Sequence, residues 1–294
     1  MEDTINRRNA IKAGLLGTAA LAAAQPTLAA AKRRIKKTLK IGMINDPKAK
    51  TFKEKLQVAK DAGFDGVEPN TLFNSDDVKE IKQAADEVGI ALDAIICSTH
   101  WRHPLSDPDS AVYGKTMEGM EVSLQNAKDI GADVVLLVPG VVTPHVMYRD
   151  AWVNSIARVK ELAKTAESMK ITIGLENVWN KFLLSPLEYQ RYIDLVGSEY
   201  VKAFFDIGNF QFWSYPQDWI RTLGDQIVRM DVKDFHNGKR QFTELLQGSV
   251  PWKDVMQACD AIGFEGYFAA EVQGGDLNYL KTHVAARMDE IISM

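Results

Sequence analysis

The chain has 294 residues, 46% apolar and 25% charged, with 35 basic and 39 acidic side chains and a formal net charge of −4. This is an ordinary folded composition, and without a basic stripe it excludes a nucleic-acid surface. The two cysteines, Cys97 and Cys259, stand far apart in apolar runs without CxxC spacing, so they read as buried free thiols rather than metal ligands.

The first segment differs in kind from the rest. "NRRNAIKAGLLGTAALAAAQPTLAAA" places Arg7 and Arg8 before an Ala/Gly/Leu run and a stretch of small residues. These are the charged, apolar and cleavage regions of an export signal, and the paired arginines point to the twin-arginine route and a periplasmic destination. The run is too short and alanine-rich to span a bilayer, so no stable membrane span is expected once the signal is removed. Residues 1–35 are therefore set apart as signal and short linker, and residues 36–294 are expected to fold as one unit.

From Leu39 onward, short apolar runs alternate with charged segments of helical period. The runs are 39–45, 64–70, 91–99, 133–140, 171–177, 201–209, 227–235 and 266–275, and several of the intervening helical patterns stop at a glycine: Gly63, Gly89, Gly131 and Gly263. A final helix is expected from about Asn278. Eight βα units in about 255 residues, with no linker, predict an α/β fold of the single (β/α)8 TIM barrel type. A doubly wound open sheet would favour a glycine-rich first turn, but the first run leads into "GMINDPKAK" without GxGxxG. The longest insertion, "HWRHPLSDPDSAVYGK" (100–115), carries Pro104 and Pro108 and reads as a loop over the barrel mouth.

A barrel collects its site at the carboxyl ends of the strands. Those ends carry Glu68, then Glu176 and Asn177, Asp206 and Asn209, Asp231, Lys233 and Asp234, and finally Glu271 and Gln273. Any one such acid reads equally well as a helix cap or a lysine's partner. Acids on four consecutive strands are different, because carboxylates at contact distance repel until one takes a proton or a cation joins them. An oxygen-only donor set suits a hard divalent ion, Mn2+ or Mg2+. The remaining polar signals are more ambiguous. Trp101 beside His100 reads as a platform for a sugar ring or as a packing anchor, and His145 and His236, in loops after strands, face either the site or solvent.

Several segments carry a resemblance: "GADVVLLVPG", "LENVWNKFLLSPLEY", "FFDIGNF", "IVRMDVKDF" and "VPWKDVMQACDAIGFEGYFAAEV". Together they resemble the xylose isomerase-like barrel superfamily of sugar (phosphate) isomerases and epimerases over about residues 39–290. That resemblance implies a Glu, Asp, His, Glu metal set on strands five to eight, which maps onto Glu176, Asp206, a strand-seven residue and Glu271. The strand-seven pattern H-x-K-D reads "DVKD" here, placing Asp231 where the histidine is expected. Asn209 stands where several relatives carry histidine, and "LLQGSVPW" lacks the acid of their Gly-Glu-Gly segment. The resemblance further implies proton transfer next to a sugar carbonyl, with Glu176 and Glu271 as proton carriers. Glu68, His100, Trp101, His145, Asn177, Asn209 and Lys233 are then the candidate sugar contacts. Export favours a neutral sugar or keto-sugar, because sugar phosphates are mostly cytoplasmic. Two other readings stand beside isomerisation: a metal-dependent lyase or hydrolase of 3-keto-glycosides, and a carbohydrate-binding barrel without catalysis. The sequence leaves a homo-oligomer open.

Overall fold

A computed structural model of the chain describes residues 33–294; the twin-arginine segment lies outside the described residues. The parallel strands are β1 (Ile35–Lys40), β2 (Gly66–Glu68), β3 (Ala91–Leu92), β4 (Ala94–Ile96), β5 (Val134–Leu137), β6 (Thr172–Glu176), β7 (Val201–Asp206) and β8 (Ile227–Val232). A small antiparallel hairpin, β9 (Asp234–His236) and β10 (Gln241–Thr243), precedes the last parallel strand, β11 (Gly266–Ala270). The sheet order is β3-β2-β1-β11-β8-β7-β6-β5-β4. Its two ends, β3 and β4, are halves of one strand separated by Asp93, one half pairing with β2 and the other with β5. The sheet thus closes on itself as a barrel of eight staves.

Helices α1 (Phe52–Ala62), α2 (Ser75–Val88), α3 (Ser110–Ile130), α4 (Tyr148–Met169), α5 (Pro186–Val196), α6 (Pro216–Leu223) and α7 (Trp252–Ile262) follow the staves. The chain ends in α8 (Leu277–Tyr279) and α9 (Ala286–Ser293), joined by a wide turn at Leu280–Ala285. Thr51 and Glu54 form a reciprocal cap on α1, and the helices that stop at Gly63, Gly89, Gly131 and Gly263 do so in the left-handed conformation that glycine adopts without a Cβ clash.

Alternation along each strand sorts its side chains into two apolar layers. Outward residues such as Leu39, Val67, Ile95, Leu175, Phe205 and Met230 pack under the helices, while Ala94, Val134, Leu136, Phe204 and Ala269 fill the barrel interior. Phe204 dominates that inner layer because its neighbour is Gly174, where a Cβ would lie only 3.0 Å from the Cβ of Phe204. The floor beneath is polar. Thr38 Oγ1 donates to Asp93 at 2.6 Å, and Arg229 lies 3.6 Å from the Asp93 carboxylate while bonding Asp133 at 2.5 Å.

The structure moves several expected boundaries. The first strand lies at Ile35–Lys40 rather than 39–45, because its alternation begins in "IKKTLK"; Ile41–Met43 is a tight helical turn. This puts Lys40, not Asn45, at the strand's carboxyl end. The mouth loop closes at Asp109, whose carboxylate caps Ser110–Ile130, so residues 110–115 are helix. The run 227–235 divides after Val232, and the hairpin that follows was not apparent in the sequence.

Candidate functional site

The carboxyl ends of β6, β7, β8 and β11 lie side by side, and the inward parity of Glu176, Asp206, Asp231 and Glu271 brings them together above the Phe204 layer. Each acid offers one oxygen, and the four oxygens lie within 4.8 Å of one another. The side chains of Asp206 and Asp231 are fully buried, whereas Glu271 keeps 39% of its side chain exposed. Glu68 joins the group from β2.

Two ammonium groups oppose these five carboxylates. Lys40 Nζ lies 2.5 Å from Glu68 and 2.7 Å from Asp231, and 4.6 Å over the Phe204 ring. Lys233 Nζ reaches Glu271 at 2.9 Å, Asp206 at 3.2 Å and the side-chain oxygen of Asn209 at 3.2 Å. Three formal negative charges remain uncompensated, and the protonation pattern reflects this. Burial, reinforced by Glu271, Asp231 and Asp206, pushes the Glu176 carboxyl well above its usual range. Burial also raises Asp231 well above its ordinary value against the pull of Lys40, and raises Asp206 to about 6 against that of Lys233. At Glu271 burial acts upward, but Lys233 and Lys40 outweigh it and hold the carboxyl below its usual value.

The residues present fit a cation. Neither carboxylate oxygen of Asp231 accepts a hydrogen bond although both are buried; Lys40 lies near Oδ1, and nothing polar among the described residues compensates Oδ2. A buried carboxylate oxygen left in that state is costly, and a hard divalent ion among the four acids supplies the missing charge. Glu176, Asp206, Asp231 and Glu271 are therefore the residues that could hold one.

The two asparagines predicted to contact sugar are used to build the site. Asn177 clasps the Asp206 backbone from both sides, accepting from its N–H at 2.7 Å and donating to its carbonyl at 2.9 Å. Asn209 donates to the Asn177 carbonyl at 2.9 Å and orients Lys233. The N–H groups of Gly208 and Asn209 cap Asp206 Oδ1 at 2.8 and 2.6 Å. Glycine is required at 208, where a Cβ would sit 2.5 Å from the Lys233 carbonyl oxygen. Asp234 is likewise structural, accepting from Phe235, Gly248, Val250 and the Trp252 indole.

A cavity of 420 Å³ opens onto the acids, bordered by Lys40, His100, Trp101, Glu176, Asp231 and Glu271. The His100 ring is buried with Nδ1 accepting from Val138 N–H at 3.2 Å, and burial pushes its pKa down to about 3, so the imidazole is neutral. Trp101 beside it is 52% exposed, placed as a wall rather than a packing anchor. His145 lies exposed on the Thr143–Val146 turn and does not border this cavity. His236 accepts through Nδ1 from Lys239 N–H in its own turn. A larger groove of 730 Å³ lies on the outer wall between α2 and α3 and contains none of the strand-end acids.

Lys40 was not anticipated from the sequence. With the first strand placed too late, it fell at the start of a run instead of its end. The alternating "IKKTLK" with a lysine two positions beyond Thr38 was the available signal.

Comparison with known proteins agrees with this fold. The chain is 24% identical over 241 residues to the L-ribulose-5-phosphate 3-epimerase UlaE of Escherichia coli K12, covering 77% of this chain and 84% of that protein. An L-ribulose 3-epimerase structure superposes with a TM-score of 0.75 at 19% identity, covering 88% of this chain and 95% of the other. The 3-keto-D-glucoside 4-epimerase YcjR of E. coli gives a TM-score of 0.74 at 14% identity, covering 88% and 100%. Residues 56–290 match the family profile described as xylose isomerase-like TIM barrel, and the chain therefore belongs to the xylose isomerase-like TIM barrel family.

Proposed function

We propose that this protein epimerises or isomerises a neutral keto-sugar by moving a proton at the carbon next to the carbonyl, with a divalent ion, Mn2+ or Mg2+, as cofactor. The observation that carries this reading is the pair Glu176 and Glu271, both bordering one cavity while their surroundings drive their proton affinities apart. Opposed pKa shifts in two neighbouring groups are the mark of an acid and a base. Glu271, held ionised by Lys233 and Lys40, takes the α-proton. Glu176, whose proton affinity is raised by burial and by Glu271, Asp231 and Asp206 in the ion-free site, returns one. In the reverse direction the roles exchange. An ion held by Glu176, Asp206, Asp231 and Glu271 would polarise the sugar carbonyl. Lys233 stays charged, its pKa raised by Asp206, Glu271 and Glu176 against the effect of burial, and it keeps Glu271 ionised while that carboxylate waits for substrate. His100, being neutral, offers Nε2 to a sugar hydroxyl, and Trp101 shields the reacting carbon from water.

The lining supports a neutral substrate. The cation at the cavity border is Lys40, already paired with Glu68 and Asp231, and Lys233 behind Glu271 is likewise paired with Asp206 and Glu271. A phosphate dianion would meet excess negative charge there instead of a free cation. The substrate class thus differs from that in the name of UlaE, a 5-phosphate.

The test is proton exchange. Protein loaded with Mn2+ and incubated with neutral ketoses in D2O should place deuterium on the α-carbon and yield an epimer or aldose, followed by NMR. Glu176→Gln should slow this by roughly 10²–10⁴-fold, the usual worth of one positioned acid or base. Absence of exchange with every neutral ketose sinks the proposal. Release of a leaving group in place of an isomer would mark elimination.

A further inference from the structure

The cavity over the acids has two unlike halves. Counted round the closed sheet, β6, β7, β8 and β11 are consecutive staves, and their carboxylates occupy one side. Staves β2 and β4 lie across the ring from β7 and β8, and the neutral polar residues that follow them at the cavity border are Asn70 and Ser98. Both residues are exposed, and among the described residues neither the Asn70 amide nor the Ser98 hydroxyl makes a hydrogen bond. Proton transfer between Glu176 and Glu271 makes no use of either.

The backbone beneath these two groups is pinned. Ile96 N–H donates to the Pro69 carbonyl at 2.9 Å and Thr71 N–H to the Ile96 carbonyl at 3.0 Å, so Asn70 is held on both sides against the end of β4. Thr71 is buried, and its Oγ1 accepts from Ser98 N–H at 3.0 Å. The same hydroxyl lies 2.8 Å from Ser123 Oγ, which donates to the Gly119 carbonyl on α3 at 2.7 Å. A valine at 71 would fill the same space, and a hydroxyl is tolerated in such a place only for the bonds it makes. One of those bonds fixes Ser98. Two residues further on, His100 adds its neutral ring to the same wall. An amide and a hydroxyl both donate and accept, which suits the hydroxyls of a sugar. A purely apolar group would strip water from Asn70 and Ser98 without replacing it. Lys40, the cation at the border, is already held by Glu68 and Asp231, which leaves a phosphate or carboxylate tail without a counter-charge.

We infer that Asn70 and Ser98 read the hydroxyl-bearing end of the ketose that is remote from the reacting carbon, with Thr71 as the positioning residue behind them. A sugar whose carbonyl end lies against Glu176 and Glu271 extends its other end toward β2 and β4. There the two side chains replace the water around its terminal hydroxyl. The substrate is accordingly a ketose that keeps this hydroxyl free, and its deoxy analogue is disfavoured. This rests on the keto-sugar reading above and specifies its substrate class.

Binding tests it directly, read by calorimetry on the mature, Mn2+-supplemented protein. The probes are ketohexoses paired with their 6-deoxy counterparts: D-fructose with 6-deoxy-D-fructose, L-fructose with L-rhamnulose, and L-tagatose with L-fuculose. At least one ketohexose should bind about tenfold more tightly than its deoxy counterpart, roughly the worth of one or two neutral hydrogen bonds. The ratio should fall toward one in Asn70→Ala and in Ser98→Ala, with the affinity for the deoxy sugar unchanged. Both positions are exposed, so these variants keep the fold. Thr71→Val preserves the shape but releases Ser98 N–H, and should lower the ratio about threefold while Mn2+ affinity stays at the wild-type value. A merely structural Thr71 would lower stability without moving the ratio. A ratio within twofold of one for every pair in the wild type overturns the inference, as does a ratio unchanged in either alanine variant; a ratio unchanged in Thr71→Val overturns the positioning role. Deuterium exchange into a ketose without discrimination between the paired sugars overturns this inference alone. Discrimination without exchange leaves Asn70 and Ser98 in their role and overturns the epimerase reading.

Discussion

Lys40→Met removes one charge, nearly preserves side-chain length, and leaves Glu68 and Asp231 buried without their shared cation. At an effective dielectric of about 20, unit charges separated by 2.5 and 2.7 Å attract by roughly 6 kcal/mol each. Much of this is offset in the wild type by the cost of burying the ammonium, so the expected net loss is the ~3–5 kcal/mol typical of breaking a buried pair. For a chain of this size that corresponds to a drop in Tm of roughly 10 °C. The sign of the pH dependence follows from Asp231, whose folded-state pKa is already raised by burial and must rise further when Lys40 is lost. A raised carboxyl pKa penalises the folded state once pH exceeds the unfolded value, and increasingly so up to the folded one. The variant's deficit should therefore be largest at pH 8 and shrink toward pH 5 as the acids take up protons. Thermal melts of metal-stripped wild type and variant across that range read the effect. Adding Mn2+ should then stabilise the variant more than the wild type, because the acids carry one more uncompensated charge and the ion binds only the folded site. A Tm within 2 °C of wild type at pH 8, or equal stabilisation of both by Mn2+, would refute the view that Lys40 and a cation share the work of neutralising these acids.

Asp231→Ala should weaken Mn2+ binding in calorimetric titration, whereas Asp231→His restores a nitrogen donor and should shift preference toward Co2+ or Zn2+; identical affinities in all three proteins would show that β8 supplies no ligand. We also propose export by the twin-arginine route. Replacing Arg7 and Arg8 together by lysine should leave full-length precursor in the cytoplasm on fractionation, and normal export of that variant would count against the signal.

Much of the architecture is written in local patterns. Eight apolar runs, glycine stops after helices and polar residues at the strand ends are consequences of alternation and helical period, and these operate within a few residues of chain. The acids Glu176, Asp206, Asp231 and Glu271 were legible for the same reason: each ends a buried strand, where an unpartnered carboxylate is too costly to be incidental. Their partners were not legible. Lys40 meets Asp231 only because the sheet closes and places β11 between β1 and β8, bringing together residues 191 positions apart. Asn177 and Asn209 looked like sugar contacts, since sequence shows where a side chain stands but not which backbone group already occupies it. Asn70 and Ser98 stand toward the ends of two separate runs, and become one wall only when Thr71 ties the segment after β2 to the end of β4. Local chemistry thus determined which groups would face the mouth of the barrel, and chain closure decided which of them are paired, spent or left open.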